Sequence, residues 1–182
     1  MRYKNSGFTL IELLVVISII SLLSSIVLTS VNSARAKARD ARRIADFKQI
    51  QLALELFYDQ AGRYPSANGA ATWDEQWASF SACLETGVCN GFTVANFISP
   101  ISKVPNDPLN ASGVFDDGRV YYYAWPPACG TGEAYRLAVV FETNHSALQS
   151  DVDGSYYNNN LGCVDNATNY HYCVGVGTCS GW

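Results

Sequence analysis

Glycine and proline are both absent from Phe8 through Ala61. Nothing in that stretch breaks a helix, either through backbone freedom or through a lost N–H donor, so a long uninterrupted helix is admitted there. Cysteine is absent before Cys83, which confines any disulfide framework to the later part of the chain. The only histidines are His145 and His171, and no HExxH, GxSxG or glycine-rich phosphate loop occurs. The common zinc-hydrolase, serine-hydrolase and nucleotide-binding motifs are thereby missing. Carboxylates are many but scattered, so the chain reads as a non-enzyme with no catalytic residue and no cofactor. Cations are scarce beyond Lys48: 13 acidic residues there meet only Arg63, Lys103, Arg119 and Arg136, leaving nine net negative charges. An acidic surface of that kind disfavours direct contact with nucleic acid, which needs cations against the phosphates.

What is present begins with the run FTLIELLVVISIISLLSSIVLTSV. Its 24 residues, Phe8 to Val31, would extend about 36 Å as a helix, enough to cross the roughly 30 Å hydrocarbon core of a bilayer. Ser18, Ser21, Ser24, Ser25 and Thr29 can return their hydroxyls to the helix backbone. One carboxylate, Glu12, sits inside the run, and an intramembrane charge calls for a partner or a task. A secretory signal peptide carries its small-residue cleavage site after the apolar stretch. Here the hydrophilic leader with Arg2 and Lys4 ends at Gly7, directly before the stretch.

The segment GFTLIE, Gly7 to Glu12, resembles the processing site of type IV pilins and type II secretion pseudopilins, read as G|FxxxE. The resemblance implies that a membrane prepilin peptidase cuts between Gly7 and Phe8, that the new amine of Phe8 is methylated, and that the apolar helix stays as an anchor. Glu12 then lies four residues from a fresh ammonium group, its own or that of the next subunit. It acts as a register mark, because a misplaced subunit leaves both charges unpaired where water is scarce. Many family members have glycine and then proline inside the anchor, and here the matching positions are Ser21 and Thr29.

Beyond the anchor, alanine and long polar side chains continue the helix to about Ala61. Ile44, Phe47, Ile50, Leu54 and Phe57 recur at three- or four-residue steps, an apolar stripe that a folded head must cover. Arg43, Asp46, Ala53 to Glu55, Tyr58 and Gly62 to Pro65 also match a pattern frequent in pseudopilins. The head is read as a connecting region, 62–118, followed by a sheet and C-terminal region, 119–182. Ser66 to about Pro100 is expected to hold short helices packed by aromatics, and VPNDP resembles the turn that precedes the pseudopilin sheet. Strands are expected at Val120–Trp125, Tyr135–Phe141 and Tyr170–Val174. The expected architecture is α+β: a pilin fold whose long N-terminal helix packs on a small antiparallel sheet, with a disulfide-bonded C-terminal region.

Cys83, Cys89, Cys129, Cys163, Cys173 and Cys179 suit three disulfides in an oxidising compartment, which places the head outside the cytoplasm. The flanking charges point the other way. Arg35, Lys37, Arg39, Arg42 and Arg43 follow the apolar run while only Arg2, Lys4 and the amino terminus precede it. The cysteines and the pilin resemblance outweigh that rule. Pairings of Cys83 with Cys89 and of Cys173 with Cys179 would close short loops, and a zinc site from His171, Cys163, Cys173 and Cys179 is the alternative use of those side chains. Asp151 and Asp153 are weak calcium candidates, since some pseudopilins bind calcium near their C-terminus; the default is a polar turn.

The domains expected are a cleaved leader, 1–7; a transmembrane or filament-core helix, 8–31; its amphipathic continuation, 32–61; and the extracytoplasmic head, 62–182. The resemblance implies a filament subunit whose partners are its own copies and other pilins, the prepilin peptidase and methyltransferase, an inner-membrane assembly platform, and membrane lipid before assembly. The alternative is a membrane-anchored extracytoplasmic binding protein or hydrolase that never polymerises.

Overall fold

The computed structural model describes residues 8–66, 73–110, 121–124, 132–151, 163 and 170–176. Its longest element is helix α1, Leu10–Ala61. It ends where the run without glycine or proline ends. Gly62, at φ 69°, donates its N–H to the Tyr58 carbonyl at 2.8 Å, a left-handed cap that a side chain would strain. The chain divides into two compact units, Met1–Ala38 and Arg39–Trp182.

In the first unit the apolar side chains of α1 are exposed, and its hydropathic window is the one described stretch long and apolar enough to cross a membrane. Ser18, Ser21 and Ser25 donate their hydroxyls to the carbonyls of Leu14, Ile17 and Leu22 at 2.7–2.8 Å. Polar groups in an apolar run are thereby satisfied within the helix itself.

The second unit is built on the stripe. Phe47, Ile50, Leu54 and Phe57 are fully buried, and Ile44 is partly so. Burial of each contributes about 1.5–3 kcal/mol. Facing them is a three-stranded antiparallel sheet of order β3-β4-β5, formed by Tyr122–Ala124 (β3), Tyr135–Phe141 (β4) and Tyr170–Val176 (β5). Strand alternation sorts the side chains. Tyr123, Leu137 and Val174 lie in cross-strand register and join the main core, where Phe47 meets Tyr121 edge-on and lies against Tyr172. Tyr122, Ala138 and Cys173 form the adjacent line and point to the opposite face, where they bury Cys163.

Among its described residues the connecting region holds one helix of 14 residues, α2, Trp73–Thr86, followed by a two-stranded hairpin, Val88–Cys89 (β1) with Phe92–Thr93 (β2). Trp77, Phe80 and Leu84 recur at helical spacing and are buried; Phe80 stacks on Tyr123 at 3.9 Å. The hairpin turns at Asn90-Gly91, with Gly91 at φ 91°. A side chain at Gly175 in β5 would run into the Tyr135 carbonyl, which accounts for glycine inside a strand.

Candidate functional site

The start of α1 is organised by two residues. Thr9 donates its N–H and its hydroxyl to Glu12 Oε2 at 2.9 and 2.5 Å, and Glu12 N–H donates to Thr9 Oγ1 at 3.3 Å. These bonds form a reciprocal capping box, Thr-x-x-Glu, on helix donors that have no partner in the preceding turn. The pattern stands in the sequence and was open to reading there. Phe8 is exposed beside it, and Gly7 lies outside the described residues. Glu12 therefore has a local task, fixing the first turn of the helix, that does not depend on a second chain.

A second cluster lies where α1 enters the Arg39–Trp182 unit. Arg43 is 1% exposed; it donates from Nε and Nη2 to the two oxygens of Asp107 at 2.6 and 3.0 Å, and from Nη1 to Asp40 and Glu142 at 2.7 and 2.9 Å. Arg39 makes a second fork to Glu142, at 2.7 and 2.5 Å. Asp40, fully buried, accepts the N–H groups of Glu142 and Thr143 at 3.0 Å and the Thr143 hydroxyl at 2.6 Å. Burial acts against the Arg43 charge, but the bonds from Asp107, Asp40 and Glu142 outweigh it and hold the guanidinium charged. Arg39 first, then Arg43, keeps the Glu142 carboxylate below its ordinary range. The cluster thus ties the VPNDP turn and the end of β4 to α1, an architectural clasp with its hydrogen bonds made.

Within the basic stretch Arg35 to Arg43, Arg39 and Arg43 are spent on carboxylates within the chain. Asp46 accepts from the Tyr121 hydroxyl at 2.7 Å and lies 3.8 Å from Arg42 Nε, one turn before it. Asp107 and Glu142 escaped notice because they are distant in sequence from the arginines they hold, whereas Asp40 stands three residues before Arg43 on the same helix and was open to reading.

Cys83 bonds to Cys89 as expected, closing the end of α2 onto β1. The Cys173 to Cys179 pairing is overturned: Cys173 bonds to Cys163. Strand alternation turns the Cys173 side chain to the face away from α1, and Cys163 is buried there beside it. The same bond removes both sulfurs from the zinc set, since a disulfide offers no thiolate. Cys129 and Cys179 lie outside the described residues. Asp151 accepts the Cys173 N–H at 2.9 Å, a role in holding β5, while Asp153 lies outside the described residues. Among the described residues no group of three or more His, Cys, Asp or Glu side chains is placed to hold a metal ion.

Residues 2–28 match the family model of the prokaryotic N-terminal methylation motif. The chain is 34% identical over 64 residues to type II secretion system core protein G of Pectobacterium carotovorum subsp. carotovorum, covering 35% of this chain and 41% of that protein. It is 33% identical over 65 residues to the core protein G of Aeromonas hydrophila, covering 36% and 46%. To the type IV major pilin protein PilA of Myxococcus xanthus it is 28% identical over 122 residues, covering 63% of this chain and 56% of the pilin. The chain thus spans about half the length of the curated relatives it matches. No solved structure gives a significant match. The methylation motif thus stands at the head of an exposed apolar helix with an α+β unit after it, and over the stretches matched the chain is similar to type II secretion core protein G and to a type IV major pilin.

Proposed function

We propose that this chain is a structural subunit of a type IV pilus or a type II secretion pseudopilus. The observation that carries the reading is the apolar face of α1. From Phe8 to Leu28 every described side chain is exposed, directly after Gly7 and around a capped Glu12. An apolar surface of that extent has to be covered by lipid or by protein. In the membrane lipid covers it, with the acidic, disulfide-bonded head on the extracytoplasmic side. After cleavage between Gly7 and Phe8 and methylation of Phe8, neighbouring subunits cover it in the filament core. The finished location is then a cell-surface pilus or a periplasmic pseudopilus. Partners are further copies, other pilins, the prepilin peptidase and methyltransferase, and an inner-membrane assembly platform. The chain's own chemistry is assembly, not catalysis.

Glu12 serves both stages. Both capping bonds from Thr9 use Oε2, which leaves Oε1 open to the amine of an incoming Phe8. A carboxylate already fixed on its helix presents that oxygen at low entropic cost, and an apolar surrounding strengthens the attraction. Each subunit uses two different surfaces toward its neighbours, which gives an open filament and not a closed ring.

The test is the N-terminal mass of the chain in sheared surface material, from cells that also express the peptidase. A first peptide beginning at methylated Phe8 supports the reading. A chain that retains residues 1–7 and remains in the membrane fraction would overturn it.

A further inference from the structure

Five cations stand between Val31 and Ile44, and the chain uses three of them itself. Arg39 pairs with Glu142, Arg42 lies 3.8 Å from Asp46, and Arg43 holds Asp40, Asp107 and Glu142. Arg35 and Lys37 are different: both are exposed and have no hydrogen-bond or ion-pair partner among the described residues. No carboxylate stands between Glu12 and Asp40, and Asp40 is buried on Arg43. The two cations nearest the apolar run are therefore left for an anion from outside the chain.

Only one of the two stands over an apolar groove. Ile20, Leu23, Val27, Leu28 and Val31 line an open groove along α1, with the smaller Ser24 among them, and Arg35 closes its end. These positions recur at three- and four-residue steps and so share one face of the helix. Lys37, two residues past Arg35, is turned about 200° from it around the axis and takes no part in the groove. From Ile20 to Val31 is eleven residues, about 16 Å at the helical rise, or half of the roughly 30 Å hydrocarbon core. The groove is as long as one leaflet is deep, with a guanidinium one turn beyond its outer end.

We infer that this groove seats one anionic phospholipid of the extracytoplasmic leaflet, of the phosphatidylglycerol class, with an acyl chain along Ile20 to Val31 and its phosphate on Arg35. Charge complementarity selects the headgroup. A guanidinium offers a phosphate two parallel donors, and the interface screens that attraction less than bulk water does. A zwitterionic headgroup brings its own ammonium beside Arg35 and loses part of the attraction. The acyl chain meanwhile covers apolar side chains that the chain itself leaves exposed. The contact also gives the outer flank a counterion for a cation that the flanking-charge rule alone would place on the inner side. The inference rests on the membrane stage proposed above and not on assembly.

The experiment reconstitutes the full chain in nanodiscs of phosphatidylglycerol and phosphatidylcholine in equal amounts and counts, by native mass spectrometry, the lipid that each released chain retains. The wild type is expected to retain phosphatidylglycerol over phosphatidylcholine about fivefold, the contribution of one interfacial cation. Arg35→Glu is expected to lose that preference and Arg35→Lys to keep most of it. Lys37→Glu changes the net charge by the same amount as Arg35→Glu but lies off the groove, and is expected to keep the preference. Neither side chain has a partner within the chain, so the near-ultraviolet circular dichroism of the head should be that of wild type in every variant. No preference in the wild type, or equal losses in Arg35→Glu and Lys37→Glu, overturns the lipid site while leaving the membrane stage intact. A wild-type chain that does not enter the nanodiscs overturns both.

Discussion

The guanidinium of Arg43 grips the carboxylate of Asp107, 64 residues away in sequence, through two bonds of 2.6 and 3.0 Å, with both side chains buried. That bond fastens the segment leading to the sheet onto the helix, and Asp40 and Glu142 fasten the far end of β4 to the same point. The two elements that enclose the stripe are therefore located by charge as well as by apolar burial.

Removing the cation alone leaves carboxylates buried without a partner, so Arg43→Met is expected to cost about 3–5 kcal/mol. Arg43→Lys keeps the charge but cannot form the fork, and its loss falls between those of wild type and Arg43→Met. Thermal unfolding of the detergent-solubilised chain, followed by near-ultraviolet circular dichroism, measures both. A melting temperature for Arg43→Met equal to that of wild type would contradict the role assigned to the clasp.

Acid is expected to loosen the same point. Arg39, and after it Arg43, hold the Glu142 carboxylate below its ordinary value near 4.5. A depressed folded pKa means that this stability is fully present above the ordinary value and is lost as pH falls through the lower, folded one. Glu142→Gln should be less stable than wild type at neutral pH and should lose less on acidification. Parallel melting curves for the two proteins from pH 7 down to about pH 3 would refute this linkage.

Alkali acts through the aromatic core. Burial pushes the Tyr135 hydroxyl up to about 12, and burial followed by the bonds to Glu55 and Asp46 raises Tyr64 and Tyr121 as well. With raised folded values, the stability is complete below the ordinary tyrosine pKa near 10 and declines above it, because the unfolded chain ionises first. The Tyr135 hydroxyl is buried without a well-formed hydrogen bond among the described residues, whereas Tyr123 donates to the Pro65 carbonyl at 2.7 Å. Tyr135→Phe is expected to match or exceed wild-type stability at pH 7 and to resist alkali better, while Tyr123→Phe loses about 1 kcal/mol. Equal losses in the two variants, read from melts at neutral and alkaline pH, would remove the distinction.

Elements governed by local chemistry were legible in the sequence. The absence of glycine and proline gave α1 its end at Ala61, the spacing of Phe47 to Phe57 gave its buried face, and the aromatic and β-branched run gave β4 from Tyr135 to Phe141. Among the described residues of the stretch expected to hold short helices, α2 is a single helix of 14 residues, and Trp77, Phe80 and Leu84 carried its period. What depends on distant partners was not legible. Cys173 has Cys179 close in sequence, but its neighbour in space is set by strand register and by which face of β5 it occupies. Arg43 reaches Asp107, 64 residues on, and Asp46 accepts from Tyr121, 75 residues on, contacts that helix spacing alone does not reveal.

The account turns on whether the apolar half of α1 is an assembly surface or only an anchor. The direct measurement is electron microscopy of sheared surface material from cells producing the native chain, or a version in which Phe8 to Val31 is replaced by an unrelated membrane anchor of equal length. The account predicts filaments from the native chain and none from the replacement, with the head folded and present in the membrane in both. Filaments from the replacement would contradict it.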